Sequence, residues 1–167
     1  LMKRQTVPTV LDAGALHLAG KLSQPTLITP HAGELARLLA SHSISVSSES
    51  IEAEPITWAQ KTAQLLGVTV LLKGSRTVVA QGDRVFVLTK ATPYLATAGT
   101  GDVLAGIIGA LVATNYIEIL NDENNLARVA ATGAFIHGQS AQFASKDAPI
   151  SATSIIRFIP EAIRKII

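Results

Sequence analysis

The chain has 167 residues, 48% of them hydrophobic and 16% charged, which is enough to fill a core and excludes a tail or linker. Its formal charge is only +2 and no Lys/Arg run exists, so a nucleic-acid footprint is excluded despite a pI near 9.1. The absence of Cys excludes a disulfide scaffold, a thiolate metal site, an iron–sulfur cluster and a Cys nucleophile, and it fits a reducing compartment, with the cytoplasm as the expected location.

Leu1 to Gln5 carries two positive charges, but Thr6-Val7-Pro8-Thr9 follows where an export signal needs an apolar run, so none is expected. Thr9-Val10-Leu11 predicts a strand ending at Asp12, and Ala13 to Ala19 a short helix closed by Gly20. Asp12, at the end of a strand, serves either a site there or the cap of that helix, with the cap slightly favoured. Pro25 to Pro30 repeats the pattern: a β-branched strand stops at Pro30, His31-Ala32-Gly33 turns the chain, and Glu34 to Ala40 forms a helix. Ser41 to Glu54 is polar and Ser-rich and reads as a surface loop. A helix over Ile56 to Leu66 follows, with Pro55 in its first turn and Gly67 ending it.

Val68 to Leu72 is apolar throughout, as a strand covered on both faces requires, and is expected at the centre of the sheet. Thr77 to Ala80 and Arg84 to Leu88, joined by Gln81-Gly82-Asp83, predict an antiparallel hairpin. After a loop over Thr89 to Ala98, Gly99-Thr100-Gly101-Asp102 opens a helix. Its stretch Val103 to Ala113 is the most apolar in the chain but far short of the ~20 residues a membrane span needs. Gly101, Ala105, Gly109 and Ala113 recur every four residues and are expected to let this helix lie close to a neighbour. Asn125 to Lys146 predicts a long helix interrupted near His137-Gly138, a packing or bend feature. Ile155 to Ile167 predicts a last helix broken at Pro160.

Three segments carry chemistry. In Gly99-Thr100-Gly101-Asp102, a Gly-rich turn leads directly into a helix, which leaves unpaired N–H groups at the positive end of the helix dipole and favours an oxyanion. Asp102 is placed to take a proton from a hydroxyl held there. As a bare pattern this is also an ordinary helix start, since it is neither GxxxxGK[ST] nor GxGxxG. Lys73-Gly74-Ser75-Arg76-Thr77 leaves the carboxyl end of the central strand, where open α/β sheets bind ligands, and its ammonium and hydroxyls suit a nucleotide's phosphates. Read alone it is equally a strand-ending turn. Thr29 to Glu34 brings a His and a carboxylate to the same sheet edge; a His in a turn is more often incidental, and the convergence of three segments shifts the balance.

The ordered motifs LDAGAL (Leu11 to Leu16), TPHAGE (Thr29 to Glu34), LLKGSRT (Leu71 to Thr77), LATAGTGDVLAG (Leu95 to Gly106) and FIHGQSA (Phe135 to Ala141) resemble the ADP-dependent NAD(P)H-hydrate dehydratases of the ribokinase-like superfamily. The resemblance implies a single domain over residues 1–167 with a three-layer α/β fold, a mostly parallel central sheet and an antiparallel hairpin. It also implies that further βα units precede this start, so that the chain corresponds to the C-terminal part of the domain. The implied activity is a lyase reaction, a metabolite repair that returns hydrated NADH or NADPH to the normal cofactor while ADP becomes AMP and phosphate.

By matching position, the resemblance makes Asp102 the base and hydrate contact and gives Gly99, Thr100 and Gly101 the stabilisation of the transferred phosphoryl group. Lys73, Gly74, Ser75, Arg76 and Thr77, with Gly101, hold the adenine nucleotide, and His31 contacts the hydrate. Mg²⁺ is expected from the phosphate chemistry with no ligand set identified, and a homo-oligomer, a tetramer, and a fused or separate NAD(P)H-hydrate epimerase are implied as partners. Three positions depart from the family's habit: Gly14 replaces an Asp, Ala32 replaces a Pro, and Ala91-Thr92-Pro93-Tyr94 stands where Gly-Asn-Pro-Gly is common. Two other readings stay open: an ATP-dependent ribokinase-like kinase of a vitamin precursor alcohol, and a catalytically silent nucleotide-binding module.

Overall fold

Apolar runs bounded by turn residues build a five-stranded sheet. In the computed structural model, which describes residues 5–89, 92–146 and 148–166, the strands lie side by side as β1 (Thr9–Leu11), β2 (Thr26–Ile28), β3 (Thr69–Leu72), β4 (Thr77–Gln81) and β5 (Arg84–Leu88). β1, β2 and β3 pair in parallel, and β4 and β5 add the antiparallel hairpin, so four of the five strands run the same way. β3 is the middle strand and every residue in it is buried, as its unbroken apolar run predicts. Gly82 turns the hairpin at φ +54°, a left-handed conformation suited to glycine.

Alternation along the strands supplies two apolar faces. Ile28, Val70, Leu72 and Val78 enter one core with α1 (Ala32–Ala40) and α3 (Pro55–Leu66). Leu27, Leu71 and Val79 enter another with α4 (Thr100–Thr114) and α6 (Asn124–Ser145). A third cluster, including Val103, Ile136 and Ile155, joins these two helices to α7 (Ala152–Arg164). Helices therefore cover both faces, giving the three-layer α/β arrangement. Among the described residues no helix is long and apolar enough to cross a membrane.

Several local expectations need correction. The Ser-rich stretch is not all loop: it contains α2 (Ser48–Ala53), whose start is capped by the Ser47 side chain and whose Ile51 is fully buried. A single anchoring side chain and a serine cap are too sparse a pattern to read as a helix. α5 (Tyr116–Asn121) was also not foreseen. The short helix after Asp12 is a 3-10 helix, Ala13–Leu18. α1 begins at Ala32 rather than Glu34, because His31 caps it.

α6 runs without interruption through His137 and Gly138, both buried within it. α7 starts at Ala152, behind a reciprocal cap between Ser151 and Ser154, and passes through Pro160 unbroken. Pro160 and Ile156, whose carbonyl loses its partner to the proline, are both on the exposed side, where water can satisfy that carbonyl. The small-residue stripe of α4 does not form its close contact, since a side chain at Gly109 would meet nothing within 4 Å. Close approach comes instead from Gly133 of α6, where an added Cβ would lie 2.6 Å from Ile108 Cγ1. Leu1 to Arg4, Ala91 of the departing loop and Ile167 of the expected last helix lie outside the described residues.

Candidate active site

The parallel strands deliver three side chains to one edge. Asp12, His31 and Lys73 each lie just beyond the carboxyl ends of β1, β2 and β3, and His31 and Lys73 extend the parallel pairing as a single bridge. The Lys73 amide donates to the Pro30 carbonyl at 2.8 Å, which fixes where its side chain departs. Lys73 Nζ donates to Asp12 Oδ1 at 3.0 Å and lies 3.7 Å from Glu34 Oε2. Asp12 therefore does not cap the helix that follows it, contrary to expectation: it makes no capping bond, and the nearby ammonium takes its carboxylate instead.

His31 does more than turn the chain. Its Nδ1 accepts from the amides of Gly33 (3.1 Å) and Glu34 (3.3 Å), while the His31 amide donates to Glu34 Oε2 at 2.8 Å. With Nδ1 taken as an acceptor in this reciprocal cap, Nε2 is the ring nitrogen left to donate, on an exposed ring. Glu34 went unassigned on sequence, although its place three residues after the cap is the signal that could have found it.

The glycine-rich turn forms the second half of the site. Gly99 sits at φ +83°, a left-handed conformation costly for other residues, and starts α4. The Thr100 hydroxyl is buried and donates to the carbonyls of Leu95 (2.7 Å) and Thr97 (2.9 Å), and the Thr100 amide also turns to Thr97, at 3.3 Å. Thr100 thus ties down the loop before the helix rather than pointing its hydroxyl outward. Among the described residues the amides of Gly101 and Asp102 find no partner, so both remain at the positive end of α4 for an anion. Asp102 is exposed, and no described hydrogen bond or ion pair engages its carboxylate.

The two halves meet at Gly101, where an added Cβ would lie 3.6 Å from Lys73 Nζ. Lys73, Gly74, Ser75 and Arg76 also border a cleft of about 200 Å³ against Ile51 and Pro55. Thr77 begins β4. Gly99 and Asp102 open onto a larger groove of about 630 Å³ between α4 and α7, walled by Ile107, Ile136, Ile156 and Ile159. Sequence reading missed this groove although Ile156, Ile159 and Ile163 lie within the expected last helix, because the packing of α7 beside α4 is not written in either helix alone.

His137 lies under the turn, only 7% exposed, with its Nε2 unpartnered among the described residues. Burial lowers its pKa from 6.5 to about 4, and the Thr100 backbone beside it acts more weakly in the opposite sense. It packs, neutral, beneath α4. Among the described residues no three His, Asp or Glu side chains gather as metal ligands. Asp12 and Glu34, the carboxylates gathered at the strand ends, already share Lys73.

Residues 1–161 match the family described as NAD(P)H-hydrate dehydratase. The bifunctional NAD(P)H-hydrate repair enzyme Nnr of Corynebacterium glutamicum is 35% identical over 185 residues, covering 95% of this chain and 32% of that one. The ADP-dependent (S)-NAD(P)H-hydrate dehydratase of Neisseria meningitidis serogroup B is 34% identical over 167 residues, covering 94% of this chain and 52% of that one. Among solved structures, the ADP/ATP-dependent NAD(P)H-hydrate dehydratase of Bacillus subtilis, co-crystallised with ATP and Mg²⁺, superposes with a TM-score of 0.76 at 26% identity, covering 95% of this chain and 55% of that one. The chain thus spans between 32% and 52% of the length of these curated relatives.

Proposed function

The chain belongs to the NAD(P)H-hydrate dehydratase family, and from that premise we propose that it carries out the ADP-dependent dehydration of hydrated NADH or NADPH, releasing AMP and phosphate. The observation that carries this reading is the meeting of Lys73 Nζ with Gly101, one residue from an unengaged Asp102. An ammonium, two free amides and a carboxylate base are what transfer of a phosphoryl group to a hydroxyl requires.

In this reading Asp102 takes the proton of the nicotinamide-ring hydroxyl as that oxygen attacks the β-phosphorus of ADP, and AMP leaves. The phosphorylated oxygen then departs as phosphate, expelled by the ring nitrogen's lone pair, and loss of a ring proton restores the double bond. Gly101 and Asp102 hold the transferred group through their amides, with Gly99 and Thr100 fixing the turn. Lys73 through Thr77 hold the nucleotide, and the cleft beside Lys73 offers room for part of it. His31 presents Nε2–H to the hydrate, and the apolar groove beyond Asp102 suits the uncharged ring.

Magnesium fits as the counter-ion of the nucleotide, held by phosphate oxygens and water, since Asp12 and Glu34 are paired with Lys73. It supplies charge compensation when bound. We place the protein in the cytoplasm as a homo-oligomer, a tetramer, working with an NAD(P)H-hydrate epimerase, either fused or separate. To test the reading, the protein at its full natural length is incubated with hydrated NADH, Mg²⁺ and either ADP or ATP, and the reduced-nicotinamide absorbance is followed. Its return with ADP is expected. No return, with ATP consumed only when a small alcohol is added, would replace this reading with a kinase.

A further inference from the structure

Glu34 lies between the two halves of the site without having been given a role in it. A glutamate at the third position of a helix ordinarily serves the cap and is well solvated. Here its side chain is only 16% exposed, and one oxygen, Oε2, is shared three ways: 2.8 Å from the His31 amide nitrogen, 3.6 Å from His31 Nε2 and 3.7 Å from Lys73 Nζ. Lys73 in turn rests beside Gly101, against the positive end of α4. An ammonium is repelled from that position unless negative charge holds it there. Asp12 and Glu34 supply that charge.

We propose that Glu34 is a positioning residue for both substrates: its single oxygen orients His31 for the hydrate and, with Asp12, holds the Lys73 ammonium at the phosphoryl site. This rests on the dehydratase reading for its choice of substrates. Two carboxylates on one ammonium leave one net negative charge where a nucleotide phosphate must arrive. Glu34 therefore opposes ground-state binding of the anion while keeping Lys73 where the transferring group needs it.

The two duties separate by substitution. Glu34→Gln keeps an oxygen able to accept from the His31 amide but removes the negative charge beside the Lys73 ammonium. Its KM for ADP is expected to fall about threefold as repulsion is relieved, while kcat falls about tenfold and KM for hydrated NADH stays unchanged. Glu34→Ala also loses the cap, so its KM for hydrated NADH rises about tenfold. Asp12→Asn should reproduce the ADP effect alone, and combining it with Glu34→Gln should give less than the product of the two, because both act through Lys73.

A merely structural glutamate would make Gln and Ala variants equally impaired with no fall in KM for ADP, and that result overturns the proposal. Calorimetric titration with ADP in the absence of hydrate separates this inference from the activity. If the wild type binds ADP but restores no NADH, the dehydratase reading fails, while tighter ADP binding by Glu34→Gln still supports the role on Lys73 and unchanged or weaker binding overturns it. If the wild type binds neither ADP nor pyrophosphate, both fall.

Discussion

Lys73 shows how much one side chain can decide. It sits at the end of the central strand, takes Asp12 at 3.0 Å, shares Glu34 and reaches Gly101. Lys73→Met leaves two carboxylates without their cation beside the proposed phosphate site, so ADP affinity measured by calorimetry is expected to fall at least about tenfold. Asp102 makes the opposite prediction: Asp102→Ala should abolish turnover yet leave ADP affinity within about twofold, because no described partner depends on its carboxylate. Retained activity in that variant would remove Asp102 from the base role. At Gly99, an alanine must adopt φ +83° and approach Ala152 Cβ to 3.3 Å, so Gly99→Ala should cost about 1–2 kcal/mol in urea unfolding.

At the scale of elements, the seam between α4 and α6 depends on Gly133. A methyl there collides with Ile108, so Gly133→Ala is expected to destabilise by about 1–3 kcal/mol, whereas Gly109→Ala, in open space on a helix, should be neutral or stabilising. The strands and the three strand-end turns were legible because their signals are local: apolar runs stopping at Asp12, Pro30 and Lys73 need no partner to be read. The seam was not, since a glycine stripe in α4 and a lone Gly133 in α6 look alike until the helices are placed. α2 hid among serines for the same reason, its one buried Ile51 having no visible counterpart in sequence. His31 was singled out from its motif, but its pairing with Glu34 was not, because a histidine cap is a less familiar helix start than serine or aspartate. Pro160 misled in the other direction: α7 runs through it, with the carbonyl it orphans, on Ile156, on the exposed side where water can reach it.

For the whole molecule, the buried His137 links stability to pH. Its folded pKa, about 4, lies below the 6.5 of the unfolded chain, so between these values the unfolded state binds a proton that the folded state refuses. Its contribution is fully present above pH 6.5 and is lost as pH falls toward 4, with a total on the order of 3 kcal/mol. Urea unfolding of the wild type at about pH 7.5 and pH 4.5 should show this loss, and His137→Gln should flatten it. An unchanged slope would mean that the imidazole is hydrated in the folded state. A different consequence follows from the bond between Lys73 and Asp12. These residues follow β3 and β1, with β2 lying between them, and Lys73 stands two residues beyond the register position of Asp12, so their side chains close a gap wider than two strand spacings of roughly 9.5 Å. The sheet acts as a ruler: the reach of a lysine is what lets one bond stitch the first strand to the third across the middle one.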